Sequence, residues 1–212
     1  LRLMDKGTVI GIDATNIRGG GGSTHLIELL NALKPKELGI QKVVIWAGAS
    51  TVSLLPAKSW LTIINPKMLN KGLFKRTMWQ VLYLSEAVRE SACDVLFVPG
   101  GSYSGSFSPV VTMSQNLLPF ESLELRRFGI SWTALKYLLL RYTQSKSMKQ
   151  SQGVIFLTEY ARNSVQKYTG ALSNTVLIPH GISKIFFTEP KQQFNINHYS
   201  VERPLKILYV SI

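Results

Sequence analysis

The stretch Ile10-Gly11-Ile12-Asp13-Ala14-Thr15-Asn16-Ile17-Arg18-Gly19-Gly20-Gly21-Gly22-Ser23-Thr24-His25-Leu26-Ile27-Glu28-Leu29-Leu30-Asn31-Ala32-Leu33 decides the fold. An apolar run closing on Asp13 leads into consecutive glycines, after which Leu26, Leu29, Leu30 and Leu33 recur at helical spacing. Strand, glycine turn and helix start, in that order, make an anion site. Glycines let backbone N–H groups come close to a bound group, and the first helical turn adds unpaired N–H groups and a positive dipole end. A phosphate-bearing small molecule is the expected guest of Gly19, Gly20, Gly21 and Gly22; a purely structural turn is the alternative. With the helix opening near Ser23, His25 falls on its first turn, where it either donates to a phosphate or sugar hydroxyl or caps the helix.

What the loop lacks narrows its class. No Gly-Lys-Ser or Gly-Lys-Thr follows the glycines, so a P-loop and phosphoryl transfer are disfavoured. The dinucleotide fingerprint also fits poorly: Thr24 stands where its last Gly or Ala belongs, and no acidic residue closes the second strand near Ala47 to bind a ribose.

Working outward, short β-branched apolar runs recur at 8–12, 42–47, 61–64, 94–98, 110–113, 153–157 and 175–178, as buried parallel strands do. Helical patterns lie between several of them, including Ala161, Val165 and Tyr168. The alternation predicts an α/β domain with a doubly wound, mostly parallel, Rossmann-like sheet. Two longer helices are expected over 73–89 and 130–148. The second carries Phe128, Trp132, Leu135, Leu139 and Tyr142 along one side, with Arg126, Arg127, Lys136, Arg141, Lys146 and Lys149 around it. It reads as an amphipathic core helix with a solvated basic face, the alternative being a membrane-surface or anionic-acceptor role. Periodicity lapses after Pro179-His180-Gly181, so 1–183 is expected to form the main domain and 184–204 a linker. Residues 205–212 read as the first strand of a further domain.

Composition limits the partners. The 212 residues are 45% hydrophobic, with 24 Lys+Arg against 12 Asp+Glu and a formal charge of +12. Nucleic acid, anionic lipid and sugar phosphates all suit that balance, but no recognition-helix or RNA-sheet motif supports nucleic acid. The single cysteine, Cys93, precludes an internal disulfide and reads as a buried structural thiol. His25, His180 and His198 are too scattered for a metal site, so no metal is expected. No apolar run reaches the roughly 20 residues that span a bilayer. The N-terminus does not read as a signal peptide, and a cytoplasmic location is expected.

Ligands of open α/β sheets bind outside the carboxyl ends of the strands. Pro99-Gly100-Gly101-Ser102-Tyr103 and Ser114-Gln115-Asn116 both follow expected strand ends. They should therefore share a rim with the glycine turn, where Gln115 and Asn116 could hydrogen-bond sugar hydroxyls; a plain surface turn also accounts for Asn116.

Together these residues resemble the amino-terminal domain of family 4 retaining glycosyltransferases, enzymes with two facing Rossmann-like domains in the GT-B fold. The markers are Ile10-Gly11-Ile12-Asp13-Ala14 with the glycine turn and His25; Asp94-Val95-Leu96-Phe97-Val98-Pro99; Pro109-Val110-Val111-Thr112-Met113 with Gln115-Asn116-Leu117-Leu118-Pro119-Phe120; Phe156-Leu157-Thr158-Glu159-Tyr160-Ala161-Arg162; and Val176-Leu177-Ile178-Pro179-His180-Gly181-Ile182. The resemblance implies transfer of a sugar from a nucleotide diphosphate sugar to a glycan or lipid-linked acceptor, with retention, no metal and no cofactor. The product would be a surface polysaccharide, made at the inner face of the cytoplasmic membrane with peripheral contact to anionic lipid. It implies that Gly19–Gly22 approach the donor diphosphate and that His25, Gly100, Gly101, Tyr103, Gln115, Asn116, Thr158 and Glu159 line the acceptor side. His180 and Gly181 would lie at the interdomain crossover. Many relatives place a histidine and an acidic residue where this chain has Gln115-Asn116. The family's diphosphate-gripping basic residues and its glutamate pair belong to the second domain, so this chain alone is expected to be inactive. A non-catalytic glycan- or nucleotide-binding module, or a regulatory partner subunit, is the alternative.

Overall fold

The computed structural model describes residues 7–182, 187–189 and 195–206. Along the chain lie β1 (Thr8–Ala14), α1 (Gly20–Ala32), β2 (Ile40–Ala47), α2 (Ala49–Val52), β3 (Leu61–Ile64), α3 (Leu73–Leu82), α4 (Leu84–Glu90) and β4 (Val95–Val98). They are followed by β5 (Val110–Ser114), α5 (Ser122–Arg126), α6 (Trp132–Gln150), β6 (Gly153–Phe156), α7 (Glu159–Thr169) and β7 (Thr175–Leu177). The seven strands form one sheet in the order β3-β2-β1-β4-β5-β6-β7, and every pairing is parallel. This is the expected doubly wound, Rossmann-like α/β fold.

Both faces of the sheet are covered, which explains why its central strands read as unbroken apolar runs. In β2, Val43, Ile45 and Ala47 pack with Leu26 and Leu30 of α1. Val44 and Trp46 point the other way, into Leu69 and the α3–α4 residues Trp79, Leu84 and Val88. Trp46 is fully buried, and burial of a side chain that large contributes on the order of 3 kcal/mol. Gly11 on the neighbouring strand leaves room for it: a Cβ there would sit 3.1 Å from Trp46 Cζ3 and 3.3 Å from Cys93 Sγ. A third cluster holds β6 to the last helices, with Val154 and Phe156 against Met148 of α6 and Ala161 and Val165 of α7.

Four expectations change. The helix after the glycines begins at Gly20 rather than Ser23, with Gly19 as its N-cap, so Gly20, Gly21 and Gly22 form its first turn and His25 lies on its second. The expected 73–89 helix is two, α3 and α4, because Tyr83 at φ −118° leaves helical geometry between them. The next long helix runs from Trp132 to Gln150, capped by Ser131, whose Oγ accepts a hydrogen bond from the Ala134 amide at 3.2 Å. It is not an amphipathic core helix. Its buried residues are Gln144, Ser147 and Met148, while Trp132, Leu135, Leu139 and Tyr142 are exposed.

The chain divides into two compact units, Leu1–Pro179 and His180–Ile212. In the second unit the described residues hold one short 3-10 turn, Ile196–His198. Of the expected strand over 205–212, Leu205 and Lys206 have no regular structure and 207–212 lie outside the described residues. Residue 183 of the expected main domain, and 184–186 and 190–194 of the expected linker, also lie outside the described residues.

Candidate functional site

The strand order reverses between β1 and β4: β2 and β3 lie on one side of β1, and β4 to β7 on the other. Loops leaving the carboxyl ends of β1 and β4 therefore diverge and leave a crevice, the usual ligand position in this architecture. Asp13, near the end of β1, is 3% exposed. Its Oδ1 accepts the Thr15 amide at 3.0 Å and its Oδ2 accepts the Gln80 side-chain amide, whose nitrogen also donates to the Ser102 carbonyl at 3.1 Å. One carboxylate thus ties the β1 loop, α3 and the β4 loop together. Burial pushes its carboxyl above the ordinary aspartate range, against the opposing pull of the hydrogen bonds from Thr15 and Gln80.

One helical turn before Gln80 lies Arg76, only 9% exposed. Its Nη1 makes a long 3.5 Å bond to the Thr15 carbonyl, its Nε has no partner, and it belongs to none of the ion pairs among the described residues. Desolvation, then the nearby charge of Arg18, lowers its pKa. Arg18 reaches across the same loop, donating to the carbonyls of Leu69 at 3.3 Å and Lys71 at 3.0 Å.

Ser102 Oγ, Gln115 Nε2 and Gln144 Oε1 are likewise buried without a partner. With Arg76 Nε they sit around the carboxyl ends of β1, β4 and β5. Buried polar groups are nearly always hydrogen-bonded, and leaving one unmatched costs about 1–3 kcal/mol. A cluster of such groups at a crevice is the signature of a site completed by a polar ligand or water.

The glycines carry their own geometry. Gly20 has φ +64°, a left-handed conformation that side-chain-bearing residues adopt at a cost, and a Cβ on Gly19, Gly20 or Gly21 would meet nothing within 4 Å. The α1 N-terminus is thus open on its outer side, and three glycine N–H groups stand in its first turn. Gly22 faces the neighbouring loop: its Cβ position is 3.7 Å from Gln115 Oε1. The glycine turn and Gln115 therefore share one rim.

The other expected residues divide. Gly101 (φ +72°) and Gly100 join the rim, where the Gly100 carbonyl accepts from Gln144 Nε2 at 3.4 Å. Tyr103 turns inward instead: it is 8% exposed, and its hydroxyl bonds Ser85 Oγ at 2.9 Å and accepts the Phe107 amide at 2.9 Å. Asn116 makes a local turn, Oδ1 accepting from the Leu118 amide at 3.1 Å. Thr158 caps α7, accepting from the Ala161 amide at 3.0 Å, and Glu159 pairs with Arg162 at 2.5 Å. His25 is half-buried on α1, whereas His180 and Gly181 belong to the second unit.

Asp13, Arg76, Gln80, Ser102 and Gln144 escape a motif reading as site residues. The available signal is weak but physical: a carboxylate ending an apolar strand, and polar residues on the inner face of α3 and α6. Among the described residues no group of His, Cys, Asp and Glu could hold a metal ion. No protein-family model matches the sequence, and a comparison with curated proteins finds no match.

Proposed function

We propose that this chain is the acceptor-side domain of a retaining glycosyltransferase that takes its sugar from a nucleotide diphosphate sugar. The observation that carries the reading is the set of buried, unpartnered polar atoms of Arg76, Ser102, Gln115 and Gln144 around the β1–β4 crevice, beside the open glycine turn. The Gly20–Gly22 amides suit an approach to a diphosphate, and a cationic Arg76 just behind the β1 loop favours negative charge there. Gln115, Gln144 and Ser102 offer the mixed donors and acceptors that sugar hydroxyls need.

In this reading the chemistry is electrostatic. The leaving diphosphate and an oxocarbenium-like sugar are stabilised by fixed dipoles, with no metal and no cofactor. The acceptor is a glycan or lipid-linked saccharide of surface polysaccharide synthesis, met at the inner face of the cytoplasmic membrane.

The test is transfer by a polypeptide that joins this chain to a nucleotide-sugar domain, supplied with a panel of nucleotide sugars and lipid-linked acceptors. The expected result is a glycosylated acceptor that retains anomeric configuration and is lost on Gln115→Ala. Binding of acceptor without turnover for every donor contradicts transfer and favours a binding module.

A further inference from the structure

We propose that the α5–α6 face is a docking surface for an anionic lipid bilayer. The proposal stands on this surface alone and does not rest on the transfer reading. In α6, Trp132, Leu139 and Tyr142 are 80%, 62% and 67% exposed, and Leu135 joins them on the side opposite the buried Gln144, Ser147 and Met148. Just before the helix, Ile130 and Leu123 of α5 are also exposed. A helix that packs through Gln144, Ser147 and Met148 while its large apolar side chains face outward leaves an apolar stripe in need of a second neighbour.

Charge selects that neighbour. From 125 to 150 the chain carries Arg126, Arg127, Lys136, Arg141, Lys146 and Lys149 and no acidic residue. A second copy set face to face would bring two such cationic α6 helices together, with Glu124 of α5 already paired to Arg127 at 2.7 Å. A bilayer bearing negative headgroups satisfies both components, because apolar side chains enter the acyl boundary while cations meet phosphates. Trp132 and Tyr142 suit the interface, having apolar rings with a polar edge.

A place for a headgroup adjoins the stripe. Between α6 and α7 runs a groove of about 510 Å3 lined by Arg141, Tyr142, Ser145, Lys146, Lys149 and Tyr168. Its floor is organised: Arg141 Nε donates to the Pro119 carbonyl at 2.5 Å, and the guanidinium lies 4.2 Å over the Tyr168 ring. Ser145 Oγ is buried there with no partner. Two lysines, an arginine and an unmatched hydroxyl thus stand around an open, largely apolar-walled groove at the edge of the apolar face, where a phosphate headgroup could meet them.

The test is co-sedimentation with vesicles of phosphatidylcholine alone and of an even mixture with phosphatidylglycerol, read beside tryptophan emission. The chain should bind the mixed vesicles, weaken with added salt, and shift Trp132 emission to the blue. Trp132→Phe should abolish that shift while leaving binding largely intact. Lys146→Gln and Lys149→Gln should each weaken partitioning roughly fivefold, and Leu135→Ser with Leu139→Ser should reduce it further. All these positions are exposed, so unchanged circular dichroism is expected and separates lost docking from lost folding. Failure to bind mixed vesicles at low salt overturns the proposal. So does equal binding by wild type and variants, or self-association that these substitutions abolish in the absence of vesicle binding.

Discussion

Replacing Asp13 by asparagine should destabilise the domain by about 1–3 kcal/mol, the range for leaving one buried polar group unmatched. Both carboxylate oxygens accept: Oδ1 from the Thr15 amide at 3.0 Å and Oδ2 from Gln80 Nε2. An asparagine amide can present only one acceptor to these two donors. Rotating the Gln80 amide to compensate would turn its oxygen toward the Ser102 carbonyl, losing the 3.1 Å bond. The variant therefore keeps a donor facing a donor in a site that water scarcely reaches. Urea denaturation gives the magnitude, and a double-mutant cycle with Gln80→Met locates it: removing Gln80 should relieve much of the penalty of Asp13→Asn, a coupling of about 1 kcal/mol. The pH dependence supplies a second signature. Because burial raises the folded-state pKa, the unfolded chain releases the Asp13 proton first. Stability should therefore fall as pH rises from about 4, the unfolded aspartate value, through the raised folded value, and then level off. Asp13→Asn lacks that component. A change within about 0.5 kcal/mol, typical of a surface substitution, with an unaltered pH profile, would refute the assignment of Asp13 as the hub of the rim.

Gly20 and Gly19 should respond differently to alanine. At φ +64°, Gly20→Ala should cost about 1–2 kcal/mol, whereas Gly19→Ala, in extended backbone with open space around its Cβ, should be nearly neutral by thermal melting. Gly11→Ala should lose about 1–3 kcal/mol through overpacking against Trp46 and Cys93, and a compensating trim of Cys93 to Ala should recover part of it. The Cys93 thiol is pushed up to about 11 by burial and then by the Asp94 charge, so iodoacetamide should label it far more slowly at pH 8 than it labels the urea-unfolded chain. A native rate equal to the unfolded one would count against that burial.

The strands were legible because a parallel sheet covered on both faces demands continuous apolar runs, and β2 through Trp46 is such a run. The start of α1 was not, since glycine is a poor helix former and Gly20–Gly22 become helical only by exposing their amides at the rim. Periodicity also misplaced α6. Its spacing of Trp132, Leu135, Leu139 and Tyr142 identifies a helix face but carries no information about whether anything covers it, and packing through Gln144, Ser147 and Met148 decided the orientation. The site was half legible. The glycines follow β1 and Gln115 follows β5, on either side of β4, and could be placed by topology, whereas Arg76 and Gln80 reach the crevice only through the crossover from β3 to β4. Tyr103 reads as a rim residue by position but turns inward because its hydroxyl finds Ser85 and the Phe107 amide in the core.

The central claim, a phosphate- and sugar-binding rim at the carboxyl ends of β1, β4 and β5, is tested most directly by an amide-shift NMR titration with nucleoside diphosphates and inorganic pyrophosphate. The account predicts saturable shifts at Gly19, Gly20, Gly21 and Gly22, extending to Gly101 and Gln115. Shifts confined to the cationic groove around Lys146 and Lys149, with the glycine amides unmoved, would contradict it.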